Sequence, residues 1–137
     1  MIILDKKITN EELKAIAANI YEGKMTLPPK PDESRWAEMP LMEQLANISS
    51  EVGRTFKWMT KGNTAFAESA FIRALDLIDL CIKYGRSGEP GRESLLKELC
   101  RFRDIYAEAV LDKDLESLKS LDKYCSHFAR AYALHKS

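Results

Sequence analysis

Glycine and proline are scarce, six and five residues in 137, and charged side chains make up 31% of the chain. That balance excludes a collagenous repeat, a low-complexity linker and a disordered tail as descriptions of the whole. No membrane-length apolar run opens the chain: Met1 to Leu4 is stopped at once by Asp5, Lys6 and Lys7, too short for a span or a signal-peptide core. Net charge is missing as well, 21 Lys and Arg against 21 Asp and Glu, so no bulk positive field favours nucleic acid or an anionic membrane. Cysteine is limited to Cys81, Cys100 and Cys125, odd in number and without a C-x-x-C pair, which argues against a disulfide framework or a zinc knuckle. These read as small core residues in a reducing compartment, and the expected location is the cytoplasm. There is no internal repeat.

What is present is a 45% hydrophobic content arranged at helical spacing, enough for one domain over residues 1–137 with a core of its own. Thr9 and Glu12 have capping-box spacing, and Leu13, Ile16, Ala17 and Ile20 follow on one face, which predicts a helix over residues 10–22. Pro28, Pro29 and Pro31 then predict an extended arm over residues 24–39, with Trp36 as its anchor on the domain. Pro40 suits a first helical turn, and Leu41, Leu45, Ile48, Val52, Phe56 and Met59 fall within one arc as far as Lys61. Beyond Asn63, Ala67, Ala70, Phe71, Ala74, Leu75, Ile78, Cys81 and Ile82 give the widest apolar face, which makes this the most buried helix, closing at Gly85. After the turn-rich segment from Gly85 to Gly91, Leu95, Leu99, Phe102, Tyr106 and Val110 form a further stripe ending near Leu111. Asp112 or Asp114 can cap a last helix whose stripe is Leu118, Leu121, Cys125, Phe128, Ala129 and Tyr132. No strand signal competes beyond a weak one at Met1 to Leu4. Four long helices with short connections predict an all-α, antiparallel up-down bundle over residues 40–134, with the first helix and the proline arm packed outside.

Charged residues on the flanks of these stripes are the candidates for chemistry. Gln44, Asn47, Glu51, Arg54 and Trp58 share one flank of their helix, and Arg73, Asp76 and Asp79 share the polar strip of the next. Arg103 falls inside an apolar arc, where an unpaired charge is costly, so a carboxylate from Glu51, Asp76 or Asp79 is expected to meet it. The expected outcome is an ion-pair network of Glu51, Arg54, Arg73, Asp76, Asp79 and Arg103. His127 points away from its helix's stripe and reads as solvated. The glycines and arginines from Gly85 to Arg92 follow a helix and lack G-K-[ST], so they read as a turn rather than a phosphate cradle. Trp36 and Trp58 are the two aromatic residues that the stripes do not absorb, and they are candidates for an interface.

Three resemblances add to this reading. From Met39 to Leu134, the runs M-P-L-x-E-Q-L-A-N-I-x-S-E-V-G-R, W-x-x-K-G-N, R-A-L-D-L-I-D-L and L-x-K-Y-x-x-x-F-A-x-A resemble a set of small, uncharacterised all-helical prokaryotic proteins. That resemblance implies a helical fold and a grouping of Glu51, Arg54, Arg73 and Asp79, with no assigned activity. Ser50 to Arg54 followed by Asp76 to Asp79 resembles the E-x-x-E and E-x-x-D pattern of MazG-type nucleotide pyrophosphohydrolases. It implies a nucleotide ligand and magnesium held by Glu51, Asp76 and Asp79, but Arg54 stands where the second glutamate belongs and Asp76 replaces a longer Glu. Arg130 and His135 match the R-x(4 to 6)-H motif of HEPN-type helical ribonucleases, implying phosphate stabilisation by the first and proton transfer by the second. Five helical steps leave these two side chains about 140 degrees apart. With no complete catalytic set, the expected function is a non-catalytic, self-associating interaction module without a cofactor. A degenerate nucleotide or RNA enzyme is the alternative, and magnesium enters only there.

Overall fold

The computed structural model describes residues 30–84 and 91–136, apart from the side chains of residues 128, 129 and 131–136. They form an all-α helical bundle of five helices: α1 Glu33–Glu38, α2 Leu41–Thr60, α3 Thr64–Tyr84, α4 Arg92–Leu111 and α5 Leu115–Lys136. No strand occurs among the described residues. The helix expected over residues 10–22, the apolar Met1 to Leu4, the start of the proline arm and the turn from Gly85 to Pro90 lie outside them.

Where it is described, the arm is helical rather than extended. Pro31 is the last proline before Glu33, and Asp32 Oδ1 accepts the Arg35 backbone N–H at 3.2 Å, which caps the start of α1. Its far end is closed from another helix: buried Gln44 donates from Nε2 to the carbonyls of Trp36 and Met39 at 3.0 and 3.1 Å. Helix ends leave such carbonyls without intrahelical partners, so one polar side chain placed inside α2 holds α1 in position. Glu33 accepts from Lys83 Nζ at 2.6 Å and from the Tyr84 hydroxyl, fixing α1 to the last turn of α3.

The turn between α2 and α3 follows from Lys61-Gly62-Asn63. Gly62 has φ +77, a left-handed conformation that side chains rarely adopt, and Asn63 Oδ1 accepts the Phe66 N–H at 3.0 Å to start α3. At the other end, Arg92 Nη2 donates to the Ile82 carbonyl at 3.0 Å and satisfies a last-turn acceptor of α3. Asp114 begins α5, accepting the backbone N–H and the hydroxyl of Ser117 at 3.1 and 2.7 Å. Those bonds hold its carboxyl below the ordinary carboxylate range.

α2 packs closely against both α3 and α5, while α4 approaches α3 and α5 at fewer points and α1 rests on α3. With helices on two sides, the buried face of α2 is wider than its apolar arc and takes in Gln44, Ser49, Glu51 and Thr55 besides Leu45, Ile48 and Val52. Phe56 and Met59, expected in the stripe, are half-buried at its edge. Gly53 permits the close approach of α5, since a Cβ there would lie 3.1 Å from Asp122 Oδ1. α3 is buried over most of its circumference, from Ala67 to Cys81.

Buried polar groups cross the core as a short chain. Thr55 Oγ1 donates to the Glu51 carbonyl at 2.8 Å, so the Tyr106 hydroxyl, also 2.8 Å away, is the donor to Thr55. Tyr106 is fully enclosed, and burial pushes its phenol pKa up. Thr55→Val is expected to destabilise by about 1–3 kcal/mol, because the Tyr106 hydroxyl is then buried without an acceptor. Adding Tyr106→Phe removes that orphan, so the double variant should be more stable than Thr55→Val alone in urea unfolding. A double variant less stable than the single one would show that the hydroxyl finds another partner.

Candidate functional site

The sequence-predicted polar residues fall on two flanks of α3. Six helical steps separate Arg73 from Asp79, which places them roughly 120 degrees apart around the axis. On the α2 side, Glu51, 7% exposed, accepts a hydrogen bond from Arg54 Nη1 at Oε2 and forms an ion pair with Arg73, whose Nε lies 2.9 Å from the same oxygen, as does Arg54 Nη1. Burying a carboxylate needs such pairing, and one turn of α2 supplies Arg54 at i+3 while α3 supplies Arg73. On the other side, Arg103 of α4 is 8% exposed, and its Nε lies 2.9 Å from Asp79 Oδ1. Asp76 lies between these flanks and is half-buried.

Two-magnesium chemistry needs several carboxylate oxygens open toward one point. Glu51 Oε2 faces two cations and Asp79 Oδ1 faces a third, so two of the three carboxylates proposed for magnesium are engaged by guanidinium groups. Among the described residues, no three His, Cys, Asp or Glu side chains come together as a metal-holding group. The residues present do not fit the MazG-like metal arrangement. Of the HEPN-like pair, Arg130 is exposed on α5, and the side chain of His135 lies outside the described set.

A cleft of about 240 Å³ opens beside Glu51. Its walls come from α1 and the residues flanking it, from α2 and from α3, with Arg35, Trp36, Glu51, Arg73 and Leu77 among its lining. Trp36 is 4% exposed, so the bundle itself encloses this side chain and leaves little of it for an intermolecular contact. Its indole Nε1 is buried without an acceptor among the described residues.

Trp58 lies nearer the C-terminal end of α2. It is half-buried, with Phe66 edge-on at 4.8 Å between ring centroids and 77° between planes. Lys57 and Lys61 place their ammonium groups 5.3 and 5.4 Å from the Trp58 ring centroid, within cation–π range. Phe66 itself is 53% exposed. A groove of about 270 Å³ is lined by Met59 and Ala67, the neighbours in sequence of Trp58 and Phe66, together with Lys113 and Leu115.

Two residues escape a reading of the stripes. Phe66 precedes the apolar face of α3, and its significance comes from Trp58, a residue of another helix. Glu68, 1% exposed, is buried with Oε2 unpartnered, and burial raises its carboxyl pKa to about 7. Its signal was legible, because Phe71, Ile72 and Leu75 at i+3, i+4 and i+7 surround it with the core face.

No helix among the described residues is long and apolar enough to cross a membrane. Compared with family models, curated proteins and solved structures, the chain matches none.

Proposed function

We propose that the protein is a non-catalytic interaction module, a small cytoplasmic bundle of four antiparallel helices that self-associates through the Trp58 and Phe66 surface. The antiparallel arrangement is supported by paired side chains. Between Glu51–Arg73 and Trp58–Phe66, α2 advances by the same number of residues as α3 retreats.

The observation that carries self-association is Phe66, a large aromatic side chain more than half exposed and already ordered against Trp58. Rigid aromatic groups beside an apolar groove lose little conformational entropy on docking and serve as interface anchors. Leu115, also exposed, extends the apolar patch onto α5. Enzymatic hydrolysis of nucleotides has no comparable support, since arginines meet Glu51 and Asp79, two of the three acids it would use.

Sedimentation velocity over a wide concentration range tests the reading. The unmodified protein should shift from monomer toward dimer as concentration rises, and Phe66→Asp should remain monomeric while keeping its helical circular dichroism. A monomer at every concentration would overturn self-association. Release of pyrophosphate from a nucleoside triphosphate that depends on magnesium and is abolished by Glu51→Gln would overturn the non-catalytic reading.

A further inference from the structure

We propose that the self-associated form is a two-fold dimer in which the corner joining α2 to α3 in each copy docks on the corner joining α4 to α5 in the other, with Phe66 of each seated in the other's groove. This docking rests on self-association through the Trp58 and Phe66 surface and adds the face of the second copy that the surface meets. Met59, Gly62, Thr64 and Ala67 bring the α2–α3 corner to the groove, and Lys113 and Leu115 bring the α4–α5 corner. The groove therefore spans both corners at one end of the bundle.

The observation that carries the proposal is the separation of charge between those corners. Residues 57–67 hold Lys57 and Lys61 and no acid, whereas residues 112–117 hold Asp112, Asp114 and Glu116 against Lys113. Glu68, the next acid on α3, is buried. Lys57, Lys61, Asp112, Asp114 and Glu116 are all exposed. Neither Lys57 nor Lys61 has an ion pair among the described residues, and each rests over the Trp58 ring instead. One corner is thus basic and carries the aromatic pair, and the other is acidic and carries Leu115.

Two-fold symmetry makes every contact occur twice, once in each direction. Basic corner against basic corner would set Lys57 and Lys61 against their own counterparts, and like charges brought together at an interface oppose association. Basic corner against acidic corner puts Lys57 and Lys61 opposite Asp112 and Glu116 on both sides of the axis. The same crossing carries each Phe66 to the groove of the other copy. A cavity of about 150 Å³ holds a benzene ring, so the groove, about 270 Å³, has room for a phenyl side chain. The seated ring supplies affinity, and the charged rims set orientation and the rate of encounter.

The test is an exchange of charge between two variants, read by sedimentation velocity at low salt, where exposed charges are least screened. One variant carries Lys57→Glu and Lys61→Glu, the other Asp112→Lys and Glu116→Lys. Asp114 is left in place because it caps α5. The four altered side chains are exposed, so both variants should keep the helical circular dichroism of the unmodified protein. Each alone should self-associate at least about tenfold more weakly, since its reversed residues meet like charges. An equimolar mixture should recover the unmodified affinity to within about threefold, because reversed residues then meet reversed ones across one rim and native meet native across the other. If the unmodified protein associates but the variants do so equally well, or the mixture is no tighter than its components, corner-to-corner docking is wrong and self-association stands. An unmodified protein that stays monomeric at every concentration removes both.

Discussion

Phe71→Ala is expected to lower stability by about 3–5 kcal/mol, measured as the shift in urea unfolding free energy. Phe71 is fully buried, and its ring centroid lies 5.4 Å from that of Tyr106. Tyr106 stacks on Phe102 at 6.0 Å, and Phe102 on Tyr124 at 6.1 Å. A line of rings therefore runs from α3 through α4 to α5, and α4 is positioned by ring contacts more than by close backbone approach. Removing the first ring leaves a cavity beside Tyr106, whose hydroxyl is already fixed by Thr55. That bond resists the shift that would refill the space. Phe71→Leu, which retains most of the volume, should cost markedly less. A loss below about 1 kcal/mol for the alanine variant would show that α4 collapses onto the gap, contrary to this account.

The second large effect depends on pH. Burial raises the Glu68 carboxyl from 4.5 to about 7, and Oε2 has no partner among the described residues to compensate the charged form. The native state then holds a proton that the unfolded chain releases at lower pH. Stability from this group is fully present below the unfolded value and is lost as pH rises through about 7. The shift corresponds to roughly 3 kcal/mol across that window. Glu68→Gln removes the titration, so the unmodified protein should lose about 3 kcal/mol relative to this variant between pH 4.5 and pH 8. The opposing carboxylates act elsewhere on the scale: hydrogen bonding lowers the Asp114 pKa, so its contribution is present above the ordinary carboxylate range and is lost on acidification. A constant difference between the two proteins over this range would mean that Glu68 is hydrated or paired in solution.

The fold was readable wherever one residue's surroundings are set by its own helix. Leu45, Ile48 and Val52 on one arc, a helix beyond Asn63, another starting at Asp112 or Asp114, and Arg103 inside an apolar stripe all follow from spacing alone. The short helix α1 was hidden by its prolines, which restrict the residues before Asp32 and leave Glu33–Glu38 free to coil. Gln44 shows the other limit. Its place on a flank is legible, but its role, closing α1 by two backbone carbonyls, depends on a segment that folds back onto it. The candidate site divides in the same way. Spacing puts Glu51 beside Arg54, whereas only the packing of α3 assigns Arg73 to Glu51 and leaves Arg103 to Asp79. The α1 wall of the cleft, with Arg35 and Trp36, was unavailable to any reading that treated the arm as extended.

The looser seating of α4 divides the bundle's cooperativity into two tiers. α2 makes close backbone contacts with α3 and with α5, whereas α4 meets α3 and α5 more sparsely and is held by Tyr106, Phe102 and the Arg103–Asp79 bond. Local opening follows the weakest set of contacts. Swinging α4 outward breaks few main-chain approaches yet uncovers Phe71, against which Tyr106 packs, and withdraws Arg92 from Cys81, a buried thiol whose pKa burial raises to about 12. Chemical modification of Cys81 thereby becomes a clock for sub-global unfolding, running at the rate of one helix's departure rather than that of the whole domain.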